Sequence, residues 1–433
     1  MKRGGRPLPT VFWRAWWVVL VARAAQFVEA FLPLLLLQGI GASAGGTAVV
    51  LVVQQLASTL TYWGEGRLVR RFGLTGVIRW GLLGSAVAVA GLATAHSVAT
   101  GAVAAAVYGA SSGAWRSAVQ AAVPSVLATA QTDPDTGDAA DDASVRSRAF
   151  GAIFWAANLG AIASAAAAAW GVPLRALFAV QALTTGAAFL LSWLLPSSVG
   201  RAGSLPHVPD SQAPTAADAH RARRNTRLLM LAFVPATVLM FQAFGGLAVA
   251  MPPDAYRQMV LVNAVVLVLA QPLTLPLLKW AGASAATVGG IVAMAVGIAA
   301  QALWPDSLVP TLVWTLGELL IIIVPGALIT AAVPMADAAE YVGRFQVVQG
   351  VAAAAALYFG PLLAGSGTTT FAAACLGAGL AGVGSVLLVR SLVSAAWGQP
   401  ITCPCGALFC VCTQTHAACA NPTPIVAHQA VVA

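Results

Sequence analysis

Arg23, Gln26 and Glu29 recur at every third position inside an apolar run, residues 12–37, and so fall along one side of a helix. Ionisable groups are costly in hydrocarbon, so residues of this kind face a polar cavity or one another. Two more charged residues share that setting. Arg116 lies in a fourth apolar run beside Trp115 and two turns from Tyr108, and Glu318 lies in a tenth. A carboxyl whose surroundings alternate between burial and a neighbouring arginine can take up and release a proton, which makes Glu318 and Glu29 the candidates for proton coupling. Glu318 ranks first, because it sits near the middle of its run with no basic residue in that run; Glu29 has Arg23 six positions away and Arg116 within possible reach. A static tie from Glu29 to Arg23 or Arg116, a hydrogen bond from Glu318 to a neighbouring helix, and snorkelling of Arg23 are the structural alternatives.

Amides donate and accept without a charge penalty and are the next lining candidates. Gln26, Asn158, Gln242 and Asn263 lie well inside their runs and join Arg23, Tyr108 and Arg116 as candidates for a solute cavity; Gln54, Gln55, Gln181, Gln271 and Gln349 are further intramembrane amides.

Positioning these residues takes a bundle of membrane helices. The chain has 433 residues, 59% hydrophobic and only 8% charged, against about 25% charged in a soluble domain. About 20 apolar residues at about 1.5 Å each cross the hydrocarbon layer, and twelve runs approach or exceed that length. They cover 12–37, 47–62, 74–95, 101–127, 150–170, 174–195, 228–249, 259–278, 285–303, 308–329, 345–363 and 370–389. No cleavable signal peptide is expected ahead of them.

The net charge of +8 comes from 22 Lys and Arg against 14 Asp and Glu. Eighteen of the 22 fall in the termini and in the connections from an even to an odd run, which are cytoplasmic if the N-terminus is, and only Arg175 and Arg257 fall on the other side. The positive-inside rule accounts for that split without nucleic acid, and both termini are expected in the cytoplasm. The polar stretch 196–227 divides the runs six and six. The expected organisation is therefore a first half at 1–195, a cytoplasmic linker at 196–227, a second half at 228–392 and a cytoplasmic tail at 393–433. An internal repeat supports the halves: Ala121-Ala122-Val123-Pro124 closes the fourth run and Ala331-Ala332-Val333-Pro334 the tenth.

The connection after the second run reads Gly66-Arg67-Leu68-Val69-Arg70-Arg71-Phe72-Gly73. It resembles the signature Gly-x-Leu-Ala-Asp-Arg-x-Gly of the major facilitator superfamily, with Gly66, Leu68, Arg71 and Gly73 on its fixed positions. Arg70 stands where the family has Asp, a departure that bears on the conformational latch this loop forms in the family. Leu278-Lys279-Trp280-Ala281-Gly282 is a weaker echo in the second half. Gly317-Glu318 with Pro325, Gly343-Arg344-Phe345 and Gly360-Pro361 resemble features of the drug:proton antiporter branch. Asn158-Leu159-Gly160 resembles an Asn-x-Gly of the superfamily's peptide symporters, whose acidic signature on the first span is missing here. The resemblance implies an all-α fold of twelve transmembrane helices in two pseudo-symmetric halves.

Other chemistry is thin. No nucleophile–base constellation, His-Glu-x-x-His or phosphate-binding loop is present, and His96, His207, His220, His416 and His428 lie in connections or tails, so an enzyme is not expected. Asp133, Asp135, Asp138, Asp141 and Asp142 depart from the spacing of a calcium loop. Cys403, Cys405, Cys410, Cys412 and Cys419 with His416 lack zinc-finger spacing and read as free thiols. No metal or cofactor is expected. The leading expectation is a monomeric secondary transporter in a plasma membrane, of bacterial type, moving a small hydrophobic or amphiphilic molecule by alternating access in proton-coupled efflux. The alternatives are a proton-coupled importer of peptides or nutrients in the same fold, and a transport-inactive receptor or enzyme. The partners are then the solute, protons and the bilayer, with no nucleic acid. The topology has a direct check: Ser211→Cys should resist an impermeant thiol reagent in intact cells and react after permeabilisation, and labelling in intact cells would overturn the orientation.

Overall fold

A computed structural model describes residues 10–129, 152, 156, 158–196, 216–331 and 335–393, and every regular element among them is helical. In chain order the helices are α1 (Thr10–Gly39), α2 (Ala44–Phe72), α3 (Leu74–Ala93), α4 (Val98–Thr129), α5 (Asn158–Ala169) and α6 (Leu174–Leu194). The second set is α7 (Arg223–Ala250), α8 (Pro253–Leu273), α9 (Ala281–Leu303), α10 (Val309–Ala331), α11 (Met335–Ser366) and α12 (Thr368–Leu392). An even number of crossings puts the start of α1 and the end of α12 at the same face, called basal below. The Asp-rich loop, the first part of the linker, the second Ala-Ala-Val-Pro repeat beyond Ala331 and the cysteine tail lie outside the described residues.

Several boundaries differ from the apolar runs for physical reasons. The second run ends at Tyr62, yet α2 continues as helix to Phe72, carrying Arg70 and Arg71 in its last turn, where cations suit the negative end of the helix dipole. Most of the signature segment is therefore helix, and only Gly73 leaves it, at φ 70° and ψ 160°. Gly282, at the start of α9, has φ 73° and ψ 160°. These angles suit glycine alone, so the weak sequence echo marks a true structural repeat at the matching turn of each half. In the same way, a helix beginning at Ala216 runs out of the polar linker towards α7, so the linker's basic end is helical.

Arg175, one of the two basic residues expected opposite the termini, donates to the carbonyl oxygens of Ala93 (3.0 Å), Ala95 (2.9 Å) and Gly39 (3.1 Å). It thereby satisfies orphan carbonyls at the ends of α1 and α3. At the basal end of α3, Arg79 reaches the carbonyls of Ser192 and Leu195 at the end of α6.

The core divides in a way that reports how the halves meet. One buried cluster runs through the second half and crosses to the first at the face opposite the termini, joining Phe31, Leu34 and Leu36 to Leu247, Met251 and Tyr256. A separate cluster, including Phe12, Val19, Leu74, Leu82, Trp115 and Leu195, belongs to the basal end of the first half alone. Along α2 and α11, Ala44 opposes Gly365 and Thr59 opposes Gly350, an equal separation on both helices, as an antiparallel pair requires. Beyond Thr59 no residue of α2 is buried. The halves are sealed opposite the termini and part towards the basal face.

A side chain on Gly350 would overlap Thr59. Gly350→Val should lower the thermal unfolding midpoint of the purified protein by several degrees, overpacking of this kind costing about 1–3 kcal/mol. Gly343→Ala, whose new methyl meets nothing in a helical segment, should not lower it and should raise it slightly.

Candidate functional site

The first helix is two pieces. Thr10–Arg23 and Val28–Leu34 are helical, and residues 24–27 between them are not. A break in mid-membrane frees backbone groups that must find partners inside the protein. Gln181 on α6, itself buried, meets part of that need: its Oε1 accepts the backbone N–H of Phe27 (2.7 Å) and of Val28 (2.9 Å). On the other side of the break α5 comes close, because residue 160 is glycine; a Cβ there would strike the Arg23 carbonyl. Ser164, one turn further along α5, donates to the Gly160 carbonyl at 2.9 Å and lies 3.4 Å from the Ala24 carbonyl.

The break gathers the polar residues of α1. Arg23 donates to the Gln26 side-chain carbonyl, the Gln26 amide donates to Glu29, and Glu29 forms an ion pair with Arg116 on α4. Arg116 also donates to the Tyr108 hydroxyl at 3.3 Å, and that hydroxyl accepts from Gln181 Nε2 at 3.5 Å. A continuous polar path thus leads from Arg23 through the ion pair to the amide that caps the break. Both guanidinia flank Trp115, with Cζ 5.9 Å and 5.8 Å from its ring centroid, in reach of cation–π attraction. The Nε of each arginine is buried without an acceptor. Two positive charges face one carboxylate, so the group carries a net positive charge and spare N–H donors.

The other candidates lie elsewhere. Asn158 on α5 donates to Gln271 on α8 at 3.2 Å, a contact that crosses between the halves. Asn263 donates to Glu318 Oε2 (2.8 Å) and to Thr315 (3.0 Å), which puts Glu318, 4% exposed, inside the second half between α8 and α10. No ion pair among the described residues involves Glu318. Gln242 is buried at the end of a helical piece of α7, donating to the Ala356 carbonyl at 3.4 Å with its Oε1 lodged against Gly246 and Gly360. The structure therefore brings together Arg23, Gln26, Glu29, Tyr108 and Arg116, and leaves Glu318, Asn263 and Gln242 in the other half. Gln181 is the residue that sequence reasoning ranked too low; an isolated amide gives no sign of a partner 154 positions away.

No protein family's sequence model matches the chain, and no curated protein matches it in sequence. Solved structures do match in shape. The nucleoside transporter NupG superposes with a TM-score of 0.67 at 12% identity, over 89% of this chain and all (100%) of that one. A peptide transporter POT in complex with sulfate gives 0.67 at 14% identity over 91% and 96% of the two chains. A bacterial homologue of the human drug peptide transporters gives 0.62 at 14%, over 89% and 98%. The chain has the major facilitator fold.

Within the major facilitator fold the signature segment closes α2 at the basal face. Arg70 and Arg71 are exposed there, Gly66 lies beside the Arg70 guanidinium, the Arg71 guanidinium is 5.4 Å from the Phe72 ring, and Leu68 packs on the basal cluster of the first half. The long apolar helices are those of a multi-pass membrane protein, in keeping with the same likeness.

The ion pair can be weighed directly. Arg116→Leu strands Glu29 without its cation and should lower stability by about 1–3 kcal/mol, since the pair is partly screened. Adding Glu29→Gln to that variant should restore most of the loss. A double-mutant cycle on thermal midpoints reads the coupling, and strictly additive losses would show that the two side chains do not interact.

Proposed function

We propose that the protein is a proton-coupled secondary transporter that takes up small polar solutes bearing an anionic group, with Glu29 and Arg116 as the coupling pair. The observation that carries this reading is the Glu29–Arg116 ion pair, set beside a second arginine and beside buried, unpartnered N–H donors where α1 is broken. Protonation of Glu29 breaks the pair and leaves Arg116 free for a carboxylate or similar anion. Binding of a proton and an anion together restores the net charge of the resting group, whereas either one alone changes it in a medium of low dielectric. Proton and solute therefore favour each other, which is the thermodynamic condition for movement in the same direction. Short peptides bear such a group, the C-terminal carboxylate, which offsets the proton locally at Arg116, and peptide transporters are among the structural neighbours. The charged centre supports such an uptake carrier over the exporter of amphiphilic molecules expected from the sequence.

The sealed face and the parted basal face support alternating access, with the basal side in the cytoplasm as the distribution of lysine and arginine suggests. Glu318 is assigned a different part: with Asn263 and Thr315 it ties α8 to α10. In proteoliposomes with an imposed inward proton gradient, screened with short peptides, nucleosides and dyes, Glu29→Gln should abolish uphill accumulation and retain exchange of solute across the membrane. Glu318→Gln should retain both. Uphill accumulation that survives Glu29→Gln and fails with Glu318→Gln would move the coupling role to the second half.

A further inference from the structure

We infer that Gln181 is a positioning residue: its amide fixes where α1 restarts after the break and so aims Glu29 at Arg116. The inference rests on the reading of that pair as the coupling switch. Glu29 lies in the first turn of the short piece Val28–Leu34, and the direction of its side chain is set by the backbone immediately before it. Phe27 and Val28, whose N–H groups end on Gln181 Oε1, are that backbone. Loss of the amide leaves the Val28 N–H without an acceptor and the Phe27 N–H with only the Ala25 carbonyl two residues back, at 3.0 Å, so the chain between Arg23 and Glu29 must then find another path.

The second function of the amide is its other end. Gln181 Nε2 and Arg116 Nη2 meet on the Tyr108 hydroxyl, so the same side chain that holds the carboxylate's backbone also helps to place the cation. Gln181 is thus fixed to both partners of the ion pair and touches neither charge. The titratable groups around the pair are Arg23 on α1, Tyr62 on α2 and Tyr108 on α4. Neighbouring α5 and α6 turn neutral Ser164 and Gln181 towards the break, and from α8 the Tyr256 hydroxyl donates to the Ala30 carbonyl, next to Glu29, at 2.8 Å. With neutral groups on α5 and α6, a change at Gln181 reaches Glu29 through geometry.

The test uses the full chain in lipid nanodiscs without solute, so it can fail while the transport reading stands, and succeed while that reading fails. Hydrogen exchange reports the N–H groups of Phe27 and Val28. Infrared spectra report the carboxylate band that Glu29→Gln removes, whose frequency reads the contact with the Arg116 guanidinium. Gln181→Leu should speed exchange at Val28 by about tenfold or more and shift that band towards its position in Arg116→Leu, with the protection of other spans unchanged. Gln181→Glu retains the acceptor and should keep exchange at the original rate. Unchanged exchange or an unshifted band in Gln181→Leu would overturn the inference, as would exchange in Gln181→Glu as fast as in Gln181→Leu. Should Gln181→Leu fail to fold, Tyr108→Phe carries the test: it removes the hydroxyl that Gln181 and Arg116 share and leaves the amide oxygen on the backbone, so the band should shift while exchange stays slow, and an unshifted band would overturn the inference.

Discussion

A charge cannot be left alone in hydrocarbon, and the centre of this protein is built around that constraint. Arg23, Glu29 and Arg116 lie half-buried inside an apolar bundle, so Arg23 is tied to Glu29 through Gln26 and Glu29 is paired directly with Arg116. The constraint reaches the backbone as well. The break in α1 lies between Arg23 and Glu29, and the free N–H groups at the break require a buried amide on α6. Glycine at position 160 follows from the same need, since α5 must come against the opened backbone to cover it.

The rest of the fold determines what such a centre can do. A shared core seals the two halves at one face, and the small-residue contact of α2 with α11 stops at Thr59 and Gly350. Among the described residues the buried cluster at the basal end of the first half contains none from the second, and Asn158 with Gln271 is a polar contact between the halves away from the seal. Glu29 lies on the piece of α1 that enters the sealed region, and Phe31, two residues on, stacks edge-on with Tyr256 of the second half at 6.2 Å between ring centroids. The ion pair and the seal therefore share one short helix. On the proposed reading, a change in the charge of Glu29 acts on an element that both halves grip, and proton binding then has a mechanical path to the seal.

Much of this was legible in the sequence, and the limits have physical causes. Lengths of apolar runs, the lopsided lysine and arginine count and the Gly66 to Gly73 segment pointed to a twelve-helix, two-half architecture, because membrane crossing leaves so few options. Arg23, Gln26, Glu29 and Arg116 stood out for the same reason, as polar groups in apolar surroundings. The break in α1 was invisible: Ala24-Ala25-Gln26-Phe27 contains neither glycine nor proline, and what opens it is the partner on α6. The ranking of Glu318 over Glu29 followed depth in the membrane and the lack of a basic residue in its run; what the sequence did not give is the partners of each, Asn263 and Thr315 for Glu318 and Arg116 for Glu29. Asn263 lies 55 positions from Glu318 and only the folded packing of α8 on α10 brings them together. The true end of α2 was missed because hydropathy falls off at Tyr62 while the helix goes on into a basic turn.

The sign of coupling is the central claim, and one measurement reads it without mutation. Proteoliposomes loaded with a pH-sensitive dye and held at zero membrane potential are given, on the outside, a zwitterionic peptide whose uptake they show. Movement of solute and proton together predicts that the interior becomes more acidic as the peptide enters, in proportion to the amount taken up. An interior that becomes alkaline, or uptake of peptide with no change in internal pH, would contradict the account.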